Sequence, residues 1–295
     1  MRKPHMFTTG TLTLGDHMHS KSVSQPSRTF ISLISFAGSS VHNFFASCFS
    51  STWPQNLTMS SWSRPSELEW PRVWIRFRAR DVDSDRMVEY RVQDLPEDRV
   101  RDAIDHMKEH FLRDEPMCGS VGLYKDPVAL EEFDLMWQDI ARQRVAVVCF
   151  REGSDEIVGL NMLTVVSKAD SKELKFKSSA LQTVCDSYIG LLKQANIFEK
   201  YGIENYLSAW GLSVSPKYRG RGVGTELLRA RIPMCRALGL TVTVTLFSNP
   251  GSQIPAAKVG FYDEIVVTYK QLEEQGYLFP GVPYELNKLM TMVVE

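Results

Sequence analysis

"VSPKYRGRGVGTELL", Val214 to Leu228, joins a stretch that alternates like a strand to one with helical spacing. Gly220, Gly222, Gly224, Arg219 and Arg221 crowd the junction. Backbone N–H groups at a strand–loop–helix turn point to one place, where the helix dipole is positive. An anion fits there, and bare glycines let phosphate oxygens reach the amides that a Cβ would fend off. The arginines add charge, and Thr225 adds a hydroxyl in the first helical turn. The expected ligand is a phosphate ester, held by Arg219, Gly220, Arg221, Gly222, Val223, Gly224 and Thr225.

Two familiar phosphate motifs fail here. The P-loop needs Gly-Lys-Ser/Thr at its end, and none is present. The dinucleotide fingerprint needs a third glycine, but counting from Gly220 reaches Thr225 and from Gly222 reaches Leu227. A third pattern, Arg-x-x-Gly-x-Gly, is met by Arg219, Gly222 and Gly224.

Outward from the loop, strands and helices alternate from Met87 to the end. "VEYRVQDL" reads as a strand, and Val100, Ala103, Ile104, Met107 and Phe111 share one helical face. Asp126-Pro127 opens a second helix carrying Leu130, Phe133, Trp137 and Ile140. "RVAVVCF" and "EIVGLNMLTVVS" form a hairpin around residues 152–155, and "ALQTVCDSYIGLLKQANIF" is helical. "YLSAWGLSV" is the strand before the loop. Beyond the loop, "TELLRARIPMCRALG" predicts a helix kinked by Pro233 and stopped by Gly239. "TVTVTLF", "FYDEIVVTYKQL" and "LNKLMTMVV" are strands, with a short helix at "SQIPAAKVG". The pattern is α/β or α+β, with about seven strands in a mixed sheet.

Composition narrows the class. Charged residues make up 23% and hydrophobic residues 43%, as in an ordinary globular chain. Five scattered cysteines without a CxxC pair argue against a disulfide framework or a zinc site, so no metal is expected. Residues 1–66 hold five basic side chains and one acid, which leaves the body acidic and no nucleic-acid face. Residues 1–86 read as a disordered or targeting extension. Phe30–Phe49, the apolar run there, carries five serines and does not suggest a membrane span. "RVWIRFRAR" (Arg72–Arg80) is expected to be a solvated linker. The body, residues 87–295, is expected to be a cytoplasmic monomer.

The loop resembles that of the GNAT superfamily of N-acetyltransferases, which cradles the pyrophosphate of coenzyme A. "LSVSPKYRGRGVGTELL" resembles that family's fourth strand and following helix, and "AAKVGF" (Ala256–Phe261) its later A-x-K-x-GF element. "FLRDEP" (Phe111–Pro116), "LRARIPMCRALG" (Leu228–Gly239) and "FSNPGSQ" (Phe247–Gln253) are similar to insect arylalkylamine N-acetyltransferases, including the dopamine type. The resemblance implies a mostly antiparallel sheet flanked by helices and splayed into a V near the fourth strand. It implies acetyl-CoA as cosubstrate and a small primary amine such as dopamine, serotonin, tyramine or octopamine as acceptor. Acetylation of a polyamine, or of a protein lysine or N-terminus, and acyl-CoA binding without turnover stand as alternatives.

A protonated amine must lose a proton before it attacks a thioester. The family's base is the glutamate of Asp-Glu-Pro, which falls on Glu115. That residue is expected at a helix end, held extended by Pro116. His106 and His110 are alternative bases. The tyrosine that many relatives use to protonate the leaving thiolate has no counterpart, because Ala256 and Ala257 occupy that region. The insect enzymes have two serines instead, matching Ser248 and Ser252. Leu212, Ser213 and Val214 would face the pantetheine and could polarise the carbonyl. Met117, Tyr188, Trp210 and Phe247 are candidates for an aryl pocket.

Overall fold

A computed structural model describes residues 60–170 and 173–295. The expectations for residues 1–59 lie outside the described residues. Eight strands form one sheet in the order β1-β2-β3-β4-β5-β6-β8-β7. They are β1 (Val73–Arg80), β2 (Met87–Asp94), β3 (Val147–Arg151), β4 (Ile157–Ser167), β5 (Asn205–Val214), β6 (Val242–Phe247), β7 (Tyr262–Thr268) and β8 (Leu286–Val293). Every pairing is antiparallel except β5 with β6, which is parallel and registered at Leu207 with Thr243. The expected mixed, mostly antiparallel sheet is found, with one strand more than the sequence suggested.

The extra strand is β1, so the linker reading of residues 72–80 is corrected and the sheet begins before Met87. The apolar residues Ile75, Phe77 and Ala79 alternate with Arg76, Arg78 and Arg80, the period of a half-buried strand. On a sheet edge the arginines discourage pairing with another chain. Upstream, Arg64 meets the buried Asp94 carboxylate at 2.9 Å, and Trp74 donates to the same group at 2.6 Å.

The helices are α1 (Val100–His106), a final turn α2 (Leu112–Asp114), α3 (Pro116–Ser120), α4 (Pro127–Arg142), α5 (Ser179–Ala195) and α6 (Ile197–Tyr201). After β5 come α7 (Val223–Arg229), α8 (Arg231–Leu238), α9 (Pro250–Val259) and α10 (Tyr269–Glu274). Strand alternation sorts them onto two faces. Val147 and Cys149 of β3 point to the core shared with Leu227, Leu228 and Met234, whereas Val148 and Phe150 point to Ile104, Trp137 and Leu181.

Several boundaries differ from the sequence reading. Pro233 cannot donate to the Arg229 carbonyl, and the expected kinked helix becomes two helices meeting at Ala230. The strand expected through Leu272 ends at Thr268, whose hydroxyl and Gln271 form a capping box that opens α10. Between α1 and α2, residues Met107–Phe111 form a π turn. Such turns are rare and concentrate at functional sites.

Candidate active site

The quoted loop forms as anticipated. A short 3-10 turn (Pro216–Tyr218) leads to Gly220 at φ 75° and Gly222 at φ 82°, and α7 starts immediately after. Left-handed backbone favours glycine at both positions, and a Cβ added at either would project into open space. Among the described residues, no protein acceptor pairs with the amides of residues 220–225. The flanking amides are used: Arg219 N–H reaches Pro216 O at 3.3 Å and Glu226 N–H reaches Gly222 O at 3.1 Å. A run of unspent donors at a helix start is what a diphosphate requires, and these residues fit that group.

The arginines are arranged differently from the sequence expectation. Arg219 donates to Val214 O at 3.0 Å and reaches across to Asp114 at 2.6 Å. Burial would raise the Asp114 carboxyl, but the Arg219 and Arg113 guanidiniums outweigh it and hold that group below its ordinary range. Arg221 bonds the carbonyls of Lys217 and Arg219 at 2.8 and 3.1 Å, and it lines a separate depression with Arg80, Asp81 and Asp85. Arg221 is the one loop candidate that does not line the main cleft. Backbone amides dominate that wall.

Behind the loop, β5 is bent. Asn161 of β4 faces Leu212 and Leu163 faces Ala209, so Trp210 and Gly211 together oppose one residue and form a bulge. Gly211 sits at φ 128°, and a Cβ there would lie 2.3 Å from Met107 and 3.2 Å from Phe111 in the π turn. The positive φ favours glycine there, and any Cβ would require the Met107 methyl to move. The bulge carbonyls are satisfied by side chains: Trp137 donates to Trp210 O at 2.9 Å and Asn161 to Gly211 O at 2.8 Å. Beyond the Leu207–Thr243 pair, β5 and β6 part company. This is the V-shaped splay. Leu212, Ser213 and Val214 pair with β4 on one edge and line the cleft on the other.

The cleft has a volume of about 670 Å³ and is lined by the loop, the splayed strands, the α2–α3 turn and the start of α9. Glu115 stands in the α2–α3 turn with extended backbone (φ −75°, ψ 123°). The chain does not simply end a helix there: Glu115 also caps α3, its Oε2 accepting the Cys118 amide at 2.7 Å. The sequence missed α3, which Pro116 starts at its first position.

The histidines differ from each other. His106 is buried, its Nε2 lies 3.1 Å from the Ser213 hydroxyl, and burial, reinforced by His110 and Arg219, pushes its pKa down to about 4. It is neutral near pH 7. His110 lines the cleft, and its Nδ1 is buried without a partner among the described residues.

Ser248 and Ser252 both line the cleft. The Ser252 hydroxyl donates to Asn249 O at 3.0 Å, and the Ser248 carbonyl accepts from Tyr269 at 2.9 Å. Neither serine is the N-cap of α9; Asn249 holds that position without a side-chain cap. Met117, Tyr188, Trp210 and Phe247 all reach the cleft, with Tyr188 and Trp210 packed edge to face at 5.5 Å. The sequence alone does not single out Gly211 or Asn161, although a glycine inside a strand is itself a bulge signal, and it places Trp137 on a helix face without a role at the site. Among the described residues there is no cluster of metal-binding side chains and no helix long and apolar enough to cross a membrane.

Comparison with known proteins agrees with this geometry. The family model described as "Acetyltransferase (GNAT) family" matches residues 94–261. The chain belongs to that family, and with it to the N-acetyltransferases. A candidate arylalkylamine N-acetyltransferase, number 7 of the yellow fever mosquito Aedes aegypti, is 47% identical. That structure covers 79% of this chain and 100% of its own, at a TM-score of 0.77. Arylalkylamine N-acetyltransferase 2 of the same mosquito is 18% identical, over 70% of this chain and 99% of its own, with a TM-score of 0.60. A Drosophila melanogaster polyamine N-acetyltransferase is 14% identical, over 70% and 100%, with a TM-score of 0.57. These last two show the fold alone. No curated protein sequence matches the chain.

Proposed function

We propose that this enzyme transfers the acetyl group of acetyl-CoA to a small arylalkylamine by direct attack, with Glu115 as general base. The observation that carries this is the position of Glu115 in the same cleft as the unspent amides of residues 220–225, with an apolar wall beside it. The amides of Gly220 to Thr225 would bind the diphosphate, and the free edge of Leu212 to Val214 would pair with the pantetheine. Glu115 would accept the ammonium proton, directly or through water, so that the nitrogen lone pair can attack. Ser252, oriented with Ser248 at the start of α9, would return a proton to the departing thiolate.

Two features favour an aryl monoamine over the alternatives. Met117, Tyr188 and Trp210 offer flat apolar surface near Glu115. Among the described residues, the carboxylates lining the cleft are Asp114 and Glu115, and Asp114 is already paired with Arg219. A polyamine would bring a second cation with no free acid to meet it, and desolvating it unpaired is costly. The 47% identical mosquito protein, described as a candidate arylalkylamine N-acetyltransferase, points the same way.

The deciding experiment gives purified protein acetyl-CoA with dopamine, serotonin, tyramine, octopamine, a diamine and a lysine peptide, and follows thiol release. The arylalkylamines should show the highest kcat/KM. Faster turnover of the diamine or peptide would replace this reading, and coenzyme A binding without turnover of any amine would reduce the protein to a binding module.

A further inference from the structure

Arg231 opens α8 and is completely buried, with a relative exposure of 0%. Its guanidinium is held by neutral oxygens: Asn161 Oδ1 at 2.8 and 3.2 Å, Thr245 Oγ1 at 2.7 Å and Thr243 Oγ1 at 3.2 Å. The ring of Phe261 lies 5.5 Å from it. Among the described residues, no carboxylate pairs with it. A buried charge without a counter-ion is costly, and an apolar side chain could fill the same space without that penalty.

Its location gives the charge a use. Asn161 and the two threonines stand on β4 and β6, so the guanidinium spans the sheet behind β5 where β5 and β6 diverge. Two of its partners lead to the cleft. Asn161 holds the Gly211 carbonyl at the bulge, and Thr245 itself lines the cleft. Burial pushes the guanidinium pKa down to about 10, which still leaves it charged near neutral pH.

In the proposed reaction the amine lone pair forms the N–C bond and the C–S bond breaks. Its electron pair leaves on sulfur; the ammonium gives one proton to Glu115 before attack, and the second, shed by the nitrogen as the tetrahedral adduct collapses, goes to water or to the departing sulfur. Negative charge therefore develops at the acyl end of the carrier. With the diphosphate on residues 220–225 and the amine at Glu115, that end would lie in the cleft whose wall includes Gly211 and Thr245. This placement rests on the reading of the cleft given above. We propose that Arg231 is the counter-charge of that reaction, a buried cation behind the apex of the V that stabilises the leaving thiolate through the low-dielectric sheet. Such a charge is strongest where water is excluded and needs no reorganisation as the bond breaks. It also compensates for the absence of a tyrosine near Ala256 and Ala257.

The test is the titration of coenzyme A bound to the enzyme, read by the ultraviolet absorbance of its thiolate, with desulfo-coenzyme A reporting affinity. In the wild type the bound thiol should titrate at least about one pH unit below the free thiol, a tenfold change in thiolate fraction at fixed pH. Arg231→Met should remove most of that depression while desulfo-coenzyme A affinity changes less than about threefold, and Arg231→Lys should keep it. A purely structural arginine would lose affinity and stability in Arg231→Met without moving the thiol. Should Arg231→Met not fold, Thr243→Asp places a counter-charge against the guanidinium at a residue outside the cleft lining, leaves the Asn161 bond to Gly211 intact, and should raise the bound thiol equally. An unshifted thiol in the wild type, or one unchanged in these variants, overturns the role of Arg231. Failure of the wild type to bind coenzyme A at all overturns the reading of the cleft instead.

Discussion

The two walls of the cleft are built in opposite ways. One is contiguous: Leu212 to Val214 and the six amides of residues 220–225 come from a single strand–loop–helix passage, and its working groups are backbone donors. The other is assembled: Glu115 from the α2–α3 turn, Tyr188 from α5, Ser248 and Ser252 from the β6–α9 junction, and its working groups are side chains. A backbone wall can be damaged only by adding atoms, a side-chain wall by removing them. The difference decides which substitutions are informative.

Removal at Glu115 should have the largest effect. Glu115→Gln is expected to lower kcat by about 10²–10⁴-fold, the usual worth of a general base, with coenzyme A affinity unchanged. Because Glu115 also caps α3, stability should fall by about 1 kcal/mol, and lost folding must be separated from lost chemistry. The pH profile does this. Without its base the variant depends on amine that arrives already deprotonated, so its rate should keep climbing about tenfold per unit up to the amine pKa near 10. A variant whose profile matches the wild type, merely scaled down, would assign Glu115 to the helix cap alone.

Addition at Gly222 should come next. Gly222→Val puts a branched side chain at φ 82° and into the open space over the amides. The backbone strain is about 1–2 kcal/mol. Gly239→Val is the control, because that residue sits at φ 68° with equally open surroundings but ends α8 away from the cleft. Both variants should lose similar thermal stability. Only Gly222→Val should weaken coenzyme A binding, by about tenfold or more on isothermal titration, and equal affinities would remove the phosphate from this loop.

The same contrast explains what could be read in the sequence. The contiguous wall was legible because its spacing is local: Arg219, Gly222 and Gly224 specify strand, turn and helix without any distant partner. The assembled wall was legible only in its residues. "FLRDEP" pointed to Glu115, but nothing local announced that the chain would start another helix at Pro116 and turn Glu115 into its cap. The π turn at Met107–Phe111 and the bulge at Gly211 meet across the core; the glycine inside the strand hints at the bulge, but nothing local announces the π turn packed against it. β1 was lost for a different reason, since arginine at every second position looks like a charged linker until the other face is counted.

The smallest effect is expected at the serines, where the assembled wall is least committed. The Ser252 hydroxyl points its proton at Asn249 O, 3.0 Å away, inside the first turn of α9. To protonate a thiolate it must turn that proton into the cleft, at the expense of one hydrogen bond worth about 1 kcal/mol. Ser252→Ala should therefore slow turnover of dopamine by no more than about tenfold. The loss should appear in single-turnover rather than steady-state rates if product release limits kcat. If Arg231 already steadies the sulfur, protonation of the thiolate can come late and from water, and Ser252→Ala should be nearly silent in the wild type. In Arg231→Met, where the cation is gone, the serine should matter more, whereas Arg231→Lys should leave its effect as small as in the wild type. A Ser252→Ala effect of 10²-fold or greater in the wild type would instead make the hydroxyl an obligatory donor and the buried cation secondary.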